Sequence, residues 1–77
     1  MNTVQRRYLE QRLVEAEMHV SKADQLVERQ RAMVEDLRRQ RHDTAAAQRL
    51  LTQMELAQRL HVDDLDRLLQ ERDNAVS

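Results

Sequence analysis

The stretch that decides the fold is residues 9–37, LEQRLVEAEMHVSKADQLVERQRAMVEDL. Steps of four and three residues from its first leucine meet an apolar side chain at every position except Gln30. This heptad spacing is typical of a helix that packs along one stripe against another helix. The pattern predicts a first helix over about residues 3–39.

The second half of the chain repeats the pattern with a looser period. Apolar side chains recur from Leu50 to Leu68 at steps that average close to the natural period of an α-helix. On the opposite side, residues four apart carry alternating charges, as is typical of a solvated helix face. The pattern predicts a second helix over about residues 45–72, followed by a frayed C-terminus at residues 73–77.

Residues 40–44 lie between the two helical patterns and include Asp43 and Thr44, which are good N-cap residues. Because the chain has no glycine, Arg41 or His42 has to adopt the left-handed conformation that ends the first helix, at a cost of about 1 kcal/mol. A single continuous helix through both patterns is the alternative. The capping residues favour a hairpin.

Folding the chain back at this turn joins the two apolar stripes in one seam. Gln30 is the polar exception in the first stripe: it is either tolerated beside Met54 or acts against misaligned pairing. We therefore predict an all-α protein with two long helices in an antiparallel coiled-coil hairpin. The side chains expected in its intrachain seam are Leu13, Val20, Val27, Val34, Leu37, Leu50, Met54, Leu65 and Leu68.

Several apolar side chains lie outside this seam, and one small seam buries little surface for the number of residues that it must order. A second hairpin packed on the first would cover them in a homodimeric four-helix bundle. We therefore expect a non-enzymatic structural or protein-interaction module that acts through helical self-association, with another helical protein as a further partner to consider. The dimer contacts expected are Leu26, Met33, Leu51, Leu60 and Leu69.

The composition excludes several functional classes. Without cysteine there is no disulfide or thiolate metal site, and without glycine there is no glycine-rich phosphate loop. No uncharged run approaches the roughly 18 apolar residues of a membrane span, so we expect a cytoplasmic protein that does not bind membranes. His61 is expected opposite Ala23 as a polar seam residue, and the histidines do not converge. We expect no catalytic residue, no metal and no cofactor.

An arginine-rich segment ends the first helix and enters the turn. The net charge of −1 argues against a general polyanion binder, but guanidinium groups are well suited to phosphate contacts. Cations at a helix C-terminus also stabilise the helix dipole without any ligand. We keep a small nucleic-acid-associated regulator as the alternative function, with Arg38, Arg39 and Arg41 as its phosphate contacts.

The C-terminal two thirds of the chain also resembles a family of short alphaproteobacterial helical-hairpin proteins. The matching motifs are R-Q-R at residues 29–31, H-D-T at 42–44, L-L at 50–51 and L-H at 60–61. The chain departs from the family pattern at Arg41, where glycine is expected in many relatives. The family has no established activity, so the resemblance implies a helical hairpin and leaves the function open.

Overall fold

The protein folds as two antiparallel α-helices in a computed structural model that describes residues 2–76. Helix α1 is Thr3–Arg39 and helix α2 is Ala45–Val76. The molecule measures 58 × 14 × 14 Å, whereas one continuous helix of about 70 residues would be roughly 105 Å long. The continuous-helix alternative is therefore wrong, and the predicted hairpin is confirmed.

Helix α2 extends four residues beyond Arg72, where the sequence pattern places its end. The predicted frayed segment is therefore helical as far as Val76, and Ser77 lies outside the described residues. Residues 73–76 carry no glycine or proline that would stop the helix, and apolar periodicity alone does not show where an exposed helix ends.

The start of α1 is fixed by a capping box that the sequence pattern did not reveal. The backbone N–H of Gln5 donates to Asn2 Oδ1 over 2.8 Å, and the backbone N–H of Asn2 donates to Gln5 Oε1 over 3.3 Å. These bonds use backbone donors that have no partner within the helix. The helix therefore begins at the residue after Asn2.

The turn is a Schellman motif in which arginine takes the position usually held by glycine. Arg41 has a φ of 60°. The N–H of His42 donates to the carbonyl of Leu37 over 2.9 Å, and that of Arg41 donates to Arg38 over 3.0 Å. This pair of bonds defines the motif and uses carbonyls left free at the helix end. Arg41 is thus the residue that accepts the left-handed conformation.

Asp43 and Thr44 start the second helix. Asp43 Oδ1 accepts the backbone N–H of Ala45 over 2.9 Å. The carbonyl of Thr44 accepts the N–H of Gln48 over 2.8 Å, which closes the first turn of α2. The Thr44 hydroxyl accepts a further bond from the Gln48 amide over 3.0 Å. Both residues that the sequence identifies as caps therefore bond to the new helix.

The core follows the line along which the two helices meet. Far from the turn, Leu9, Leu13, Ala16 and Leu68 form one buried cluster. Nearer the turn, the buried residues belong to α1. Of the predicted seam residues, Leu13, Val27, Val34 and Leu68 are buried, whereas Val20, Leu37, Met54 and Leu65 are half-buried.

The prediction that Leu50 lies in the seam is wrong, because 45% of this residue is exposed. Its neighbour Leu51 is half-buried and lines a groove together with Val34 of α1. Successive residues of an α-helix point about 100° apart, so Leu50 and Leu51 face clearly different directions. Leu51 takes the place in the hairpin, and Leu50 is turned outward.

Gln30 is buried and bonded across the seam. Its Nε2 donates to the backbone carbonyl of Ala47, in the first turn of α2, over 3.0 Å. This bond joins the C-terminal part of the first apolar stripe to the start of the second helix. A polar side chain held in this way favours one axial alignment of the helices, because sliding either helix would leave the amide buried without a partner.

Replacing Arg41 by glycine should raise the free energy of unfolding by roughly 0.5–1 kcal/mol, because glycine adopts a positive φ without a Cβ clash. Thermal unfolding followed by circular dichroism measures the change. Arg41→Ala removes the same charge but keeps Cβ, and it should give no such gain. Gln40→Gly should destabilise, since Gln40 has a φ of −83°. If Arg41→Gly were no more stable than Arg41→Ala, the turn geometry would be wrong.

Replacing Gln30 by glutamate should lower the free energy of unfolding by about 2 kcal/mol or more at pH 7. The change removes the donor to Ala47 and buries a carboxylate beside a carbonyl oxygen. The deficit should shrink as the pH falls through the carboxyl pKa, because the protonated group is neutral and can donate. Urea unfolding of this variant and of Gln25→Glu, the same change at an exposed residue of α1, measures the effect. Equal losses would contradict a buried bond.

Candidate interaction surface

The groove between the helices has two sides, and polar contacts bridge one of them. Arg31 of α1 pairs with Glu55 of α2 over 3.0 Å. Seven residues before Arg31 on the same side of α1, Asp24 accepts a hydrogen bond from the side-chain amide of Gln58 over 2.8 Å. We call this side the polar face and define it by Asp24, Arg31, Glu55 and Gln58. Its polar groups find their partners within the hairpin.

The other side of the groove is apolar and open. A cavity of about 160 Å³ lies here between the helices, and its lining is largely apolar: His19, Lys22, Ala23, Leu26, Met54, Ala57 and His61. Helical spacing places Met33 seven residues after Leu26 and Leu50 seven residues before Ala57, on the same side. We call this side the apolar face and define it by His19, Leu26, Met33, Leu50, Ala57 and His61.

The residues expected to contact a second chain separate into two groups. Leu26, Met33 and Leu60 are 39%, 52% and 61% exposed, and Leu60 lies at the margin of the apolar face, three residues after Ala57. The other two serve the hairpin itself. Leu51 is half-buried in the groove on the side of Arg31, and Leu69 packs against the buried cluster that contains Leu68.

Two histidines meet across the apolar face, so the expectation that the histidines do not converge is wrong for His19 and His61. The ring centroids of His19 and His61 are 5.3 Å apart, with the ring planes inclined at 46°. His61 lines the same cavity as Ala23, as expected, but its ring contact is with His19 one turn away. The register already implied this proximity, because His19 and Ala23 are four residues apart on one helix. The proximity is not obvious from the sequence, because the two histidines lie far apart along the chain.

The arginines at the turn are largely paired with acids of their own helix. Arg38 bonds to Glu35 and Arg39 bonds to Asp36, both over 2.6 Å. These pairs place a carboxylate beside two of the three guanidinium groups that were expected to contact phosphate, and Arg41 serves the turn. The local field is therefore weaker than the arginine count suggests, and the nucleic-acid alternative stays a prediction.

Among residues 2–76, no three or more His, Cys, Asp or Glu side chains lie together in a way that could hold a metal ion. Neither helix over these residues contains an apolar stretch long enough to cross a membrane.

Comparisons with profiles of known protein families, with curated proteins and with solved structures found no match to this chain. The resemblance to alphaproteobacterial hairpin proteins therefore stays a prediction.

Proposed function

We propose that this protein is a non-enzymatic interaction module of the cytoplasm that pairs with a second copy of itself. In this proposal the apolar faces of two hairpins pack together and form a homodimeric four-helix bundle. The observation that carries the proposal is the contrast between the two sides of the groove.

The contrast between the faces selects one of them as the contact surface. On the polar face, Arg31 and Asp24 already have partners in α2, and covering them would cost desolvation without new bonds. On the apolar face, Leu26, Met33 and Leu50 are 39%, 52% and 45% exposed. Burying such a side chain fully is worth about 1.5–3 kcal/mol. Association through the apolar face therefore lowers the free energy and leaves the polar contacts in place.

The exposed area is large for a chain of this mass. The accessible surface is 6258 Å², whereas a compact protein of 9.2 kDa is expected to expose about 4,900 Å². A specific dimer interface takes about 800 Å² from each partner. The exposed area in excess of the expected value is therefore larger than the area that one partner contributes to a dimer interface. A net charge of −1 adds little repulsion between two copies.

The cavity in the apolar face is of a size that a partner side chain can fill. A cavity of about 150 Å³ lined by apolar side chains is large enough for a ring the size of benzene. The 160 Å³ cavity between Ala23 and Ala57 is of this size. Side chains that project from the apolar face of the partner can enter this recess. Small residues facing large ones permit the close approach of 8–10 Å between helix axes.

Replacing Leu26 and Met33 together by glutamate should convert the dimer to a monomer, because four carboxylates would be buried in the interface. Sedimentation equilibrium at micromolar concentration measures the mass. The wild-type chain should have twice the mass of 9.2 kDa, and the variant should have the monomer mass. The melting temperature of the wild type should rise with protein concentration, and that of the variant should not.

Val14→Glu with Val62→Glu is the matched control for this experiment. These residues are 57% and 37% exposed, and helical spacing places Val62 one turn after Gln58 of the polar face and Val14 on the outer side of α1, so both lie away from the apolar face. The control adds the same charge and removes a similar exposed apolar area, so it should remain dimeric. A wild-type chain that is monomeric and cooperatively folded at micromolar concentration would contradict the proposal.

A further inference from the structure

We infer that His19 and His61 are one half of a zinc site, and that the same pair from a second copy of the chain completes it. This inference rests on the proposed dimer. It assigns a ligand to the centre of the apolar face, where two imidazoles project from different helices toward the same cavity. Neutral imidazole is a common protein ligand for Zn²⁺.

The spacing of the two rings fits ligation of one ion. With Zn–N bonds of about 2.05 Å and a tetrahedral angle, the centroids of two imidazoles on one zinc ion lie about 5.2 Å apart. The centroids of His19 and His61 are 5.3 Å apart. The rings are inclined to each other and not stacked, which leaves their nitrogens free to turn toward a shared point. Two side chains on neighbouring helices thus need little rearrangement to chelate.

A single chain supplies too few ligands for a closed site. Structural zinc takes four ligands, and no third His, Asp or Glu joins this pair within residues 2–76. The nearest carboxylates on the same side of each helix are Glu15 and Asp64, one turn away, and Asp64 bonds to Arg67. The remaining two ligands must therefore come from water or from another molecule.

The position of the pair along the hairpin brings its symmetry copy opposite it. The midpoint of α1 is Ser21, and His19 lies two residues away, about 3 Å along the helix axis. If the twofold axis runs along the hairpins, each residue lies level with its copy. If the twofold axis instead runs across the hairpins, and the hairpins overlap over their full length, only residues near the midpoint of a helix lie level with their copies. In both arrangements the two pairs face each other and supply four nitrogens.

The surroundings allow a cation here once the dimer forms. The cavity lining around the histidines is mainly apolar, so a bound ion would be shielded from water. Lys22 is the charged residue in this lining, and its ammonium group opposes a second cation. Its four-carbon stem lets the charge extend past the margin of the interface into solvent. The imidazoles must bind in their neutral form, because a protonated ring nitrogen has no lone pair to donate to zinc.

Calorimetric titration of the untagged, metal-free full chain with zinc chloride at pH 7.5 tests the inference. We expect one zinc ion per two chains. His19→Ala and His61→Ala should each weaken binding by about 100-fold or more, since each removes two of four ligands from the dimer. His42→Ala removes the third histidine of the chain, which lies in the turn, and should change nothing. Co²⁺ in place of zinc should give the absorption bands of a tetrahedral site in the wild type.

Sedimentation with zinc and with a chelator separates this inference from the proposed function. A dimer that binds no zinc, or binds it equally well after all three histidine substitutions, would overturn the zinc site and leave the dimer intact. One zinc ion per chain would overturn the sharing of the site between copies. A chain that is monomeric with and without zinc would overturn both proposals. A dimer that zinc tightens and the chelator loosens would support both.

Discussion

A hairpin of two helices has only one seam, and this limit governs the rest of the molecule. Each helix can face the other along one stripe, so most of its circumference remains in water. Among the residues whose burial the structure describes, only Val27 and Leu68 have less than 2% of their area exposed, although the two helices contain 37 and 32 residues. Ordering so many residues around so thin a core is costly. Further packing against one side of the groove would therefore stabilise the folded chain.

Polar contacts fix which side remains open. Gln30 bonds to the backbone of Ala47, and Asp24 and Arg31 bond to side chains of α2 on the polar face. Exposed pairs of this kind contribute little to stability. Their effect is on alignment, because each bond forms only at one axial position of the helices. The alignment then brings small residues of both helices to the same level on the apolar face, where the cavity and the two histidines lie.

The sequence predicted the elements well and the contacts within them less well. The heptad of α1 and the capping residues at the turn identify the hairpin because helix pairing depends on periodicity, which is a local property of the chain. Leu50 was assigned to the seam and Leu51 to the dimer contact, and the structure reverses the two. Successive side chains of a helix point about 100° apart, and the looser apolar period of α2 does not decide which of the two leucines faces α1. The meeting of His19 and His61 depends on the register of both helices together, and neither helix alone indicates it.

The central claim is that a second copy covers the apolar face, and distances between spin labels on different chains test it most directly. The chain has no cysteine, so Lys22→Cys and Glu17→Cys each create one labelling site near the middle of α1, on the apolar and polar sides. With helix axes 8–10 Å apart across the interface, labels at residue 22 should lie within about 20 Å of each other, and labels at residue 17 should be clearly farther apart. The account would be contradicted if labels at residue 17 were closer to each other than labels at residue 22, or if no distance between chains could be measured at either site.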